Sequence, residues 1–212
     1  MELDARIERS FYARDALVVA RALIGTYLVV TRPHDRRDDA AAPGRGDRVR
    51  AARIVETEAY RGPKDLACHA RVGLTKRTKT LYGPPGHAYV FLIYGMYDCF
   101  NVVCFGEGKG HAVLVRAAEP VLGTGDVRTD GPGRLTRALG ITRAHDAEDL
   151  VTGTRLHLAP RTKRPRIAVT ARVGVAYAGA IAEAPWRFLD AGSRHVSRPP
   201  AKQIGLGLKA AR

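Results

Sequence analysis

The sequence is poor in cysteine and has no long apolar run. Its three cysteines, Cys68, Cys99 and Cys104, include no C-x-x-C pair, so their spacing is that of neither a disulfide framework nor a zinc site. We expect three buried, reduced thiols. No apolar run is long enough to span a bilayer, and the acidic N-terminus has no apolar core of a secretory signal behind it. These absences predict a cytoplasmic protein.

Acidic residues are also scarce relative to basic ones. The 212 residues contain 35 Lys and Arg against 21 Asp and Glu, which gives a formal net charge of +14. Such a surplus favours polyanionic partners, with nucleic acid first and an anionic membrane surface second. The length fits one domain over residues 1–212. The frequent alanine and arginine are typical of a GC-rich bacterial genome.

Extended segments outnumber helical ones. Helices are predicted over 15–25, where Asp15 can cap the first turn and Gly25 can end it, and over 131–141. Strand-like runs occupy 27–30, 49–60, 87–94, 97–105, 111–120, 166–177 and 186–189. The charged segment 33–50 is expected to be a flexible loop, and 198–212 a loosely ordered tail. The pattern predicts an α+β chain that is rich in strands.

The stretch RIVETEAY, residues 53–60, places unusual chemistry on a predicted strand. Strand alternation puts Ile54, Glu56, Glu58 and Tyr60 on one face. Two carboxylates beside a phenol are candidates for acid–base chemistry, and His69 follows nine residues after Tyr60. The alternative is that the acids simply pair with arginines.

The stretch FLIYGMYDCFN, residues 91–101, is predicted to be a β-hairpin. Gly95-Met96 suits a two-residue type II′ turn, which would set Tyr94 opposite Tyr97 at the tip. The tyrosines either fold back onto the sheet, or Tyr94 enters a nucleic-acid groove as a wedge that replaces a stacked base. An opened duplex then needs a pocket with aromatic walls for the displaced base.

Several blocks, taken in order along the chain, resemble those of one enzyme family. They are RIVETEAYRGPKDLACHA, YGPPGHAYVFLIYGMYDCFN, VLVRAAEP, GPGRLTRALGI and ARVGVAYAG. Together they resemble the alkyladenine (3-methyladenine) DNA glycosylase family over roughly residues 10–197. The first two blocks are long enough to be specific.

The resemblance implies a fold, a reaction and a partner. The fold would be a single α+β domain, with a curved, mainly antiparallel sheet flanked by helices and a protruding hairpin that carries the DNA wedge. The enzyme would be a monofunctional glycosylase of base excision repair. It would flip alkylated or deaminated purines, such as 3-methyladenine and hypoxanthine, out of double-stranded DNA and leave an abasic site. We expect a monomer that needs no metal and no organic cofactor.

The resemblance also implies the groups that activate water. Glu58 matches the general base, and Glu56 would be a supporting residue. Arg116 matches an arginine that helps to hold the water, and Val173 matches a residue whose backbone carbonyl completes the water site. We expect a negative pocket that tolerates a positively charged leaving base, within a cationic surface that binds phosphate.

The remaining matched positions concern the base and the duplex. Tyr60 and His69 match residues that sandwich the flipped base, and Phe91 matches a further wall. Tyr94 matches the wedge. Asn101 matches a pocket-floor asparagine that screens against guanine. The candidate phosphate contacts are Arg77, Gly131 and Arg134.

Two departures from the family pattern are visible. Phe91 is often a tyrosine in the family, so one hydroxyl is missing. The run TKRTK, residues 75–79, differs from a more usual T-P-R-N, and Arg77 is the phosphate contact that we keep from it. In addition, a bulge-free two-residue hairpin would put Phe91 and Asn101 on opposite faces, so we expect a bulge or a different turn.

Two other readings are open from the sequence. A non-catalytic binder of distorted DNA or structured RNA would share the charge and the wedge, but Glu58 would then be an acid in a cationic groove that serves no chemistry. A helix-hairpin-helix glycosylase is suggested by Gly131-Pro132-Gly133. Those enzymes are all-helical, whereas this chain is rich in strands.

Overall fold

The structure is a computed structural model that describes residues 2–32 and 49–197. The predicted tail lies outside these residues, as does the predicted loop except for Val49 and Arg50, which begin a strand. The helices are α1 (Arg9–Tyr12), α2 (Ala16–Leu23) and α3 (Pro132–Leu139). The strands are β1 (Tyr27–Thr31), β2 (Val49–Arg61), β3 (Ala88–Ile93), β4 (Tyr97–Cys104), β5 (His111–Leu122), β6 (Leu156–Ala159), β7 (Ile167–Thr170) and β8 (Arg187–Asp190). Short 3₁₀ segments span Gly62–Lys64, His69–Val72, Thr80–Tyr82, Arg143–His145 and Ala176–Glu183.

The two predicted helices form where their end signals are. Asp15 caps α2 by accepting a hydrogen bond from the Leu17 N–H at 2.9 Å. Pro132 occupies the first turn of α3, and Gly140 ends that helix at φ +75°, a left-handed conformation that glycine adopts without strain. None of the helices in the described part of the chain is long and apolar enough to cross a bilayer.

All eight strands join one antiparallel sheet. The order is β3-β4-β5-β2-β1-β6, and β8 pairs with both β2 and β7. The first part of β2, up to Arg53, pairs with β1, whereas Glu56–Glu58 pairs with β8. This change of partner along one long strand curls the sheet into a half-barrel. The predicted α+β class with a curved antiparallel sheet is therefore confirmed.

The main core lies on the face of the sheet that α2 covers. Val19, Ala20 and Leu23 of α2 pack there with apolar residues of β1, β2, β4 and β5. The predicted strand 166–177 is too long, because extended pairing ends at Thr170 and a 3₁₀ segment begins at Ala176. The strand β6 was not predicted, since LHLA is too short to show a period.

The alternation predicted for residues 54–60 is wrong at Ile54. Between Ile54 and Glu56, β2 has one residue more than β5. Because of this bulge, Ile54 lies in the main core with Ala59, while the Thr57 hydroxyl, also on that side, donates to the Ala20 carbonyl at 2.9 Å. Glu56, Glu58 and Tyr60 share the opposite face.

The turn of the β3–β4 hairpin also differs from the prediction. Ile93 pairs with Tyr97, and the loop holds Tyr94, Gly95 and Met96, with Tyr94 at φ +52° and Gly95 at φ +68°. The Met96 N–H donates to the Ile93 carbonyl at 3.1 Å. The central turn positions are therefore Tyr94-Gly95 rather than Gly95-Met96.

The three-residue loop sets the register that decides whether Phe91 and Asn101 share a face. Phe91 pairs with Cys99, and Tyr89 pairs with Asn101. Cross-strand partners share a face, so Phe91 and Asn101 project on the same side of the hairpin. The expectation that a different turn must intervene is confirmed.

Candidate active site

A cavity of about 560 Å³ opens on the face of the sheet opposite α2. It lies between the β3–β4 hairpin, the 3₁₀ segment His69–Val72, the N-terminus of α3 and residues 173–177. The predicted residues that line it are Tyr60, His69, Phe91, Tyr94, Asn101, Arg116, Gly131, Arg134 and Val173. The sequence positions matched to one pocket therefore do meet in space.

Glu58 lies directly beneath this cavity and has no exposed surface. Its Oε1 accepts a hydrogen bond from the Val173 N–H at 2.7 Å, and its Oε2 accepts one from the Tyr60 hydroxyl at 2.9 Å. The Arg116 guanidinium is more distant, at 3.4 Å from Oε1 and 3.5 Å from Oε2. Each carboxylate oxygen has one short hydrogen bond, so lone pairs on the Arg116 side stay available.

Glu56, two residues earlier, is held quite differently. Its Oε1 accepts from Arg116 Nε at 2.9 Å, Arg187 Nε at 2.8 Å and the Ser197 hydroxyl at 2.7 Å, and its Oε2 accepts from the Ser197 N–H at 2.5 Å. Burial alone would raise the pKa of Glu56, but the charges of Arg187 and Arg116 outweigh it and the pKa is lowered. Glu56 is an ionised carboxylate that already accepts four hydrogen bonds, three of them on Oε1.

We call Glu56, Glu58, Arg116, Arg187 and Ser197 the carboxylate cluster. A bulge on β5 directs Arg116 into the cluster, because β5 has one residue more than β2 between Ala117 and Val115. Arg187 is fully buried, and its Nη1 and Nη2 have no hydrogen-bond partner within the described residues. Two guanidinium groups offset two carboxylates within the cluster, and the negative charge expected of the whole pocket stays a prediction. The cluster is balanced in charge.

Tyr60 forms one wall of the cavity. Burial and the neighbouring Glu58 charge raise its pKa well above the usual value, so its hydroxyl stays protonated and donates to Glu58. The guanidinium of Arg172 lies 4.7 Å from the centre of the Tyr60 ring. Arg172 donates to both carboxylate oxygens of Asp65, at 2.6 and 2.9 Å. Neither Arg172 nor Asp65 was singled out from the sequence.

His69 and Phe91 form another part of the cavity lining, with ring centres 4.4 Å apart. Burial, with the charges of Arg77 and Arg71, lowers the pKa of His69, so the imidazole is neutral at pH 7. Its Nδ1 lies 3.0 Å from the Tyr89 hydroxyl, whose pKa is raised to about 12 by burial. Tyr89 also lines the cavity and was missed by the sequence reading.

Asn101 is buried at the base of the cavity. Its Nδ2 donates to the Tyr89 carbonyl at 3.1 Å and to the Cys99 carbonyl at 3.3 Å. These two contacts fix the orientation of the amide and leave Oδ1 as the atom that can meet a bound molecule. Cys68 and Cys99 also line the cavity, and all three thiols are buried and unpaired.

The rim of the cavity carries exposed aromatic rings and basic groups. Tyr94 is 82 % exposed at the hairpin turn, and Tyr177 is a second exposed tyrosine of the cavity lining. Gly131 and Arg134 line the cavity at the start of α3, where Arg134 pairs with Asp130 at 3.1 Å. Arg77 does not line the cavity but lies 5.8 Å from the Phe91 ring centre.

The chain is similar to proteins of one family along most of its length. The family described as methylpurine-DNA glycosylase (MPG) matches residues 10–194. A Myxococcus xanthus protein named "Putative 3-methyladenine DNA glycosylase" is 53 % identical over 197 residues, which cover 92 % of this chain and 94 % of that protein. Proteins of the same name are 50 % identical in Anaeromyxobacter sp. Fw109-5, covering 93 % and 95 %, and 43 % identical in Legionella pneumophila Lens, covering 91 % and 98 %.

Proposed function

The chain belongs to the methylpurine-DNA glycosylase family, which makes it a DNA glycosylase, a hydrolase of N-glycosyl bonds, and we propose that it excises 3-methyladenine and other damaged purines from duplex DNA. The proposal includes flipping of the damaged nucleotide and hydrolysis by a water that Glu58 activates. Hypoxanthine is included among the substrates. The product is an abasic site.

The observation that carries this proposal is the contrast between the two carboxylates. Glu56 already accepts four hydrogen bonds, so it has little capacity for a water molecule. Glu58 accepts two short ones, and all three groups that touch it line the cavity. An acid held this way beneath an aromatic cavity is placed to act as a general base.

The cavity has the size and chemistry for a flipped purine. Tyr60, His69 and Phe91 offer ring faces for stacking, and Tyr94 stands exposed at the hairpin turn. Tyr94 fills the space that the flipped nucleotide leaves in the duplex. This role is consistent with an aromatic side chain that the protein itself leaves almost uncovered.

Glu58 takes a proton from water as that water attacks C1′ of the deoxyribose. The water replaces the long Arg116 contacts, on the side of Glu58 where lone pairs are available. The carboxylate also stabilises the positive charge that develops on the sugar. The observed contact of Val173 with Glu58 is made by the Val173 N–H. We propose in addition that the Val173 carbonyl accepts a hydrogen bond from the attacking water.

The leaving base needs different help in different lesions. Alkylation at N3 or N7 of a purine leaves a positive charge on the base, which then departs readily. A neutral base such as hypoxanthine depends more on the activated water and on hydrogen bonding in the cavity. The proposed hydrolysis uses water and no amine nucleophile, and the described residues that line the cavity include no lysine.

Binding to the duplex rests on the positive charge of the chain. Arg77, Arg134 and the backbone of Gly131 lie near the cavity and are proposed to contact phosphates. Each neutralised phosphate should contribute a slope of about −0.9 to the dependence of log K on log salt. A flat salt response would count against this surface.

The deciding experiment compares Glu58→Gln with the wild type on duplexes that carry one 7-methylguanine or one hypoxanthine. Single-turnover excision should fall at least ~10²-fold, with binding to the lesion duplex retained. Glu119→Gln is the matched control, because Glu119 pairs with Arg53 away from the cavity. Normal excision by Glu58→Gln would remove Glu58 as the base. Binding without excision by the wild type would favour the non-catalytic binder.

A further inference from the structure

Behind the Tyr60 wall, charged and aromatic groups form a continuous stack. Arg61 lies 5.5 Å from the Trp186 ring centre, and Arg172 lies 4.8 Å from Trp186 and 4.7 Å from Tyr60. Tyr60 lines the cavity and Arg172 does not, which places the guanidinium behind the ring. The order outward from the cavity is therefore Tyr60, Arg172, Trp186 and Arg61.

The Arg172 guanidinium is fixed in this stack. Its side chain has no exposed surface, and its N–H groups donate to Asp65 at 2.6 and 2.9 Å and to the Ala59 carbonyl at 3.0 Å. These partners meet the guanidinium at its edge, where the N–H groups project, and leave its faces to the two rings. Buried between two aromatic rings, this cation is not screened by water.

A cation behind an aromatic ring changes what stacks well in front of it. The ring face attracts positive charge through its quadrupole, and a guanidinium on one face already uses that attraction. A second cation on the other face gains less and is repelled by the first. An uncharged purine is not penalised in this way.

Asp65 is the partner that offsets the charge of Arg172, at the edge of the guanidinium, while the Tyr60 ring lies over the guanidinium itself. The carboxylate cluster is balanced, since Arg116 and Arg187 offset Glu56 and Glu58. His69 of the cavity lining is neutral, and Phe91 has Arg77 behind it at 5.8 Å. Both aromatic walls are therefore backed by guanidinium groups, with the Tyr60 wall the more closely backed.

We propose that Arg172 is a specificity-determining residue that makes the pocket stack less favourably on a positively charged purine than on an uncharged one. The inference rests on the proposed function. It is compatible with excision of cationic lesions, because their glycosidic bonds are weak and need less help from binding. It predicts that the ratio of the excision rates of cationic and neutral lesions depends on a residue outside the cavity.

The test is the ratio of single-turnover excision rates for cationic 7-methylguanine and neutral hypoxanthine. The variant Asp65→Asn/Arg172→Met removes both charges of the buried pair and should raise the ratio about three- to tenfold, the size of a cation–π effect. Asp65→Asn alone leaves the Arg172 charge uncompensated and should lower the ratio. Arg172→Lys keeps the charge and should leave the ratio near that of the wild type.

Arg61→Gln is the matched control, because it removes the same charge one ring farther from the cavity. It should leave the ratio unchanged. Equal slowing of both lesions in the Asp65 and Arg172 variants would mean that the pair is only structural and would overturn the proposal. A change of the excision ratio in the same direction in Asp65→Asn and in Asp65→Asn/Arg172→Met would overturn it as well.

Nucleoside binding separates this inference from the proposed function. NMR titration with 7-methylguanosine and inosine, followed on His69 and Tyr60, measures stacking without turnover. If the wild type excises neither lesion, the glycosylase function fails. The ratio of the affinities for 7-methylguanosine and inosine then still decides the role of Arg172. Failure of both nucleosides to perturb the cavity resonances would overturn the stacking role of Arg172, whereas excision alone decides the glycosylase function.

Discussion

Glu56 and Tyr94 mark two regions of the molecule that are built in opposite ways. Glu56 has no exposed surface and accepts hydrogen bonds from three residues of the carboxylate cluster. Tyr94, at the tip of the hairpin, is 82 % exposed and adopts a positive φ that is uncommon for tyrosine. The cluster is held by hydrogen bonds within the protein, whereas the tip leaves an aromatic ring exposed.

The difference bears on how the proposed reaction would be divided between them. Groups that stabilise developing charge work best when they are fixed before the substrate arrives. A wedge needs only shape and a free surface, because its energy comes from stacking in the duplex. Substitutions in the cluster should therefore affect folding and chemistry together, whereas substitutions at the tip should affect DNA recognition alone.

Glu56→Gln should have the largest effect on stability. It leaves Arg187, fully buried, without its anionic partner, and breaking a buried ion pair costs about 3–5 kcal/mol. Urea denaturation should show this loss. Glu58→Gln should be milder, because Arg116 keeps its 2.9 Å bond to Glu56. Equal losses in the two variants would break the distinction between the two acids.

The same region shows where sequence reasoning reaches its limit. Glu58, Tyr60, His69, Phe91 and Asn101 could be placed because strand alternation and a recognisable family pattern act over short stretches of chain. Arg187 and Ser197 reach Glu56 from 131 and 141 residues away, and no local period predicts such pairings.

Local irregularities were the second obstacle. The bulge beside Val55 turned Ile54 to the core, although alternation assigned it to the acidic face. In the turn, both Tyr94 and Gly95 have a positive φ. Backbone preference predicts a positive φ only for the glycine, so the sequence did not indicate that Tyr94 is a central turn residue. Bulges and strained turns are common beside functional sites, so the simplest rules fail there first.

Asn101→Ser tests the region between the cluster and the tip. Both amide hydrogens of Asn101 are used by backbone carbonyls, so the atom facing a base is an acceptor, and exclusion of the guanine amino group must be steric. The substitution should raise excision of normal guanine relative to hypoxanthine by about 10- to 200-fold.

The thermal stability of Asn101→Ser is measured beside its ratio of guanine to hypoxanthine excision. Loss of two hydrogen bonds should lower the stability of Asn101→Ser by about 1–2 kcal/mol, whatever its role in specificity. If the guanine-to-hypoxanthine ratio stays constant while stability falls, Asn101 only satisfies the backbone of the hairpin.

Tyr94→Ser should weaken lesion-specific binding about tenfold, the scale of one base–aromatic stacking contact, and leave thermal stability unchanged. Fluorescence of 2-aminopurine beside the lesion reports flipping. Tyr177→Ser is the matched control, since Tyr177 is a second tyrosine of the cavity lining and is 68 % exposed. Normal flipping by Tyr94→Ser, or an equal defect in Tyr177→Ser, would remove the wedge role.

Gly133→Ala tests whether α3, which packs against Tyr97, sets the position of the hairpin tip. Its effect on excision should be the smallest of those predicted. A Cβ at Gly133 would lie 2.8 Å from Cβ and 2.9 Å from ring atoms of Tyr97, the residue that follows the hairpin turn. Tyr97 is half exposed and can move outward, which would carry the tip with it. Alanine also favours the α3 helix by about 0.5–1 kcal/mol, which offsets part of the cost of this shift. Lesion excision should fall about threefold. Gly106→Ala is the control, because a Cβ there comes only within 3.6 Å of the Lys109 side chain and Gly106 does not line the cavity. If Gly133→Ala excises like Gly106→Ala, the position of the wedge is set by the turn alone, and α3 has no part in aiming it.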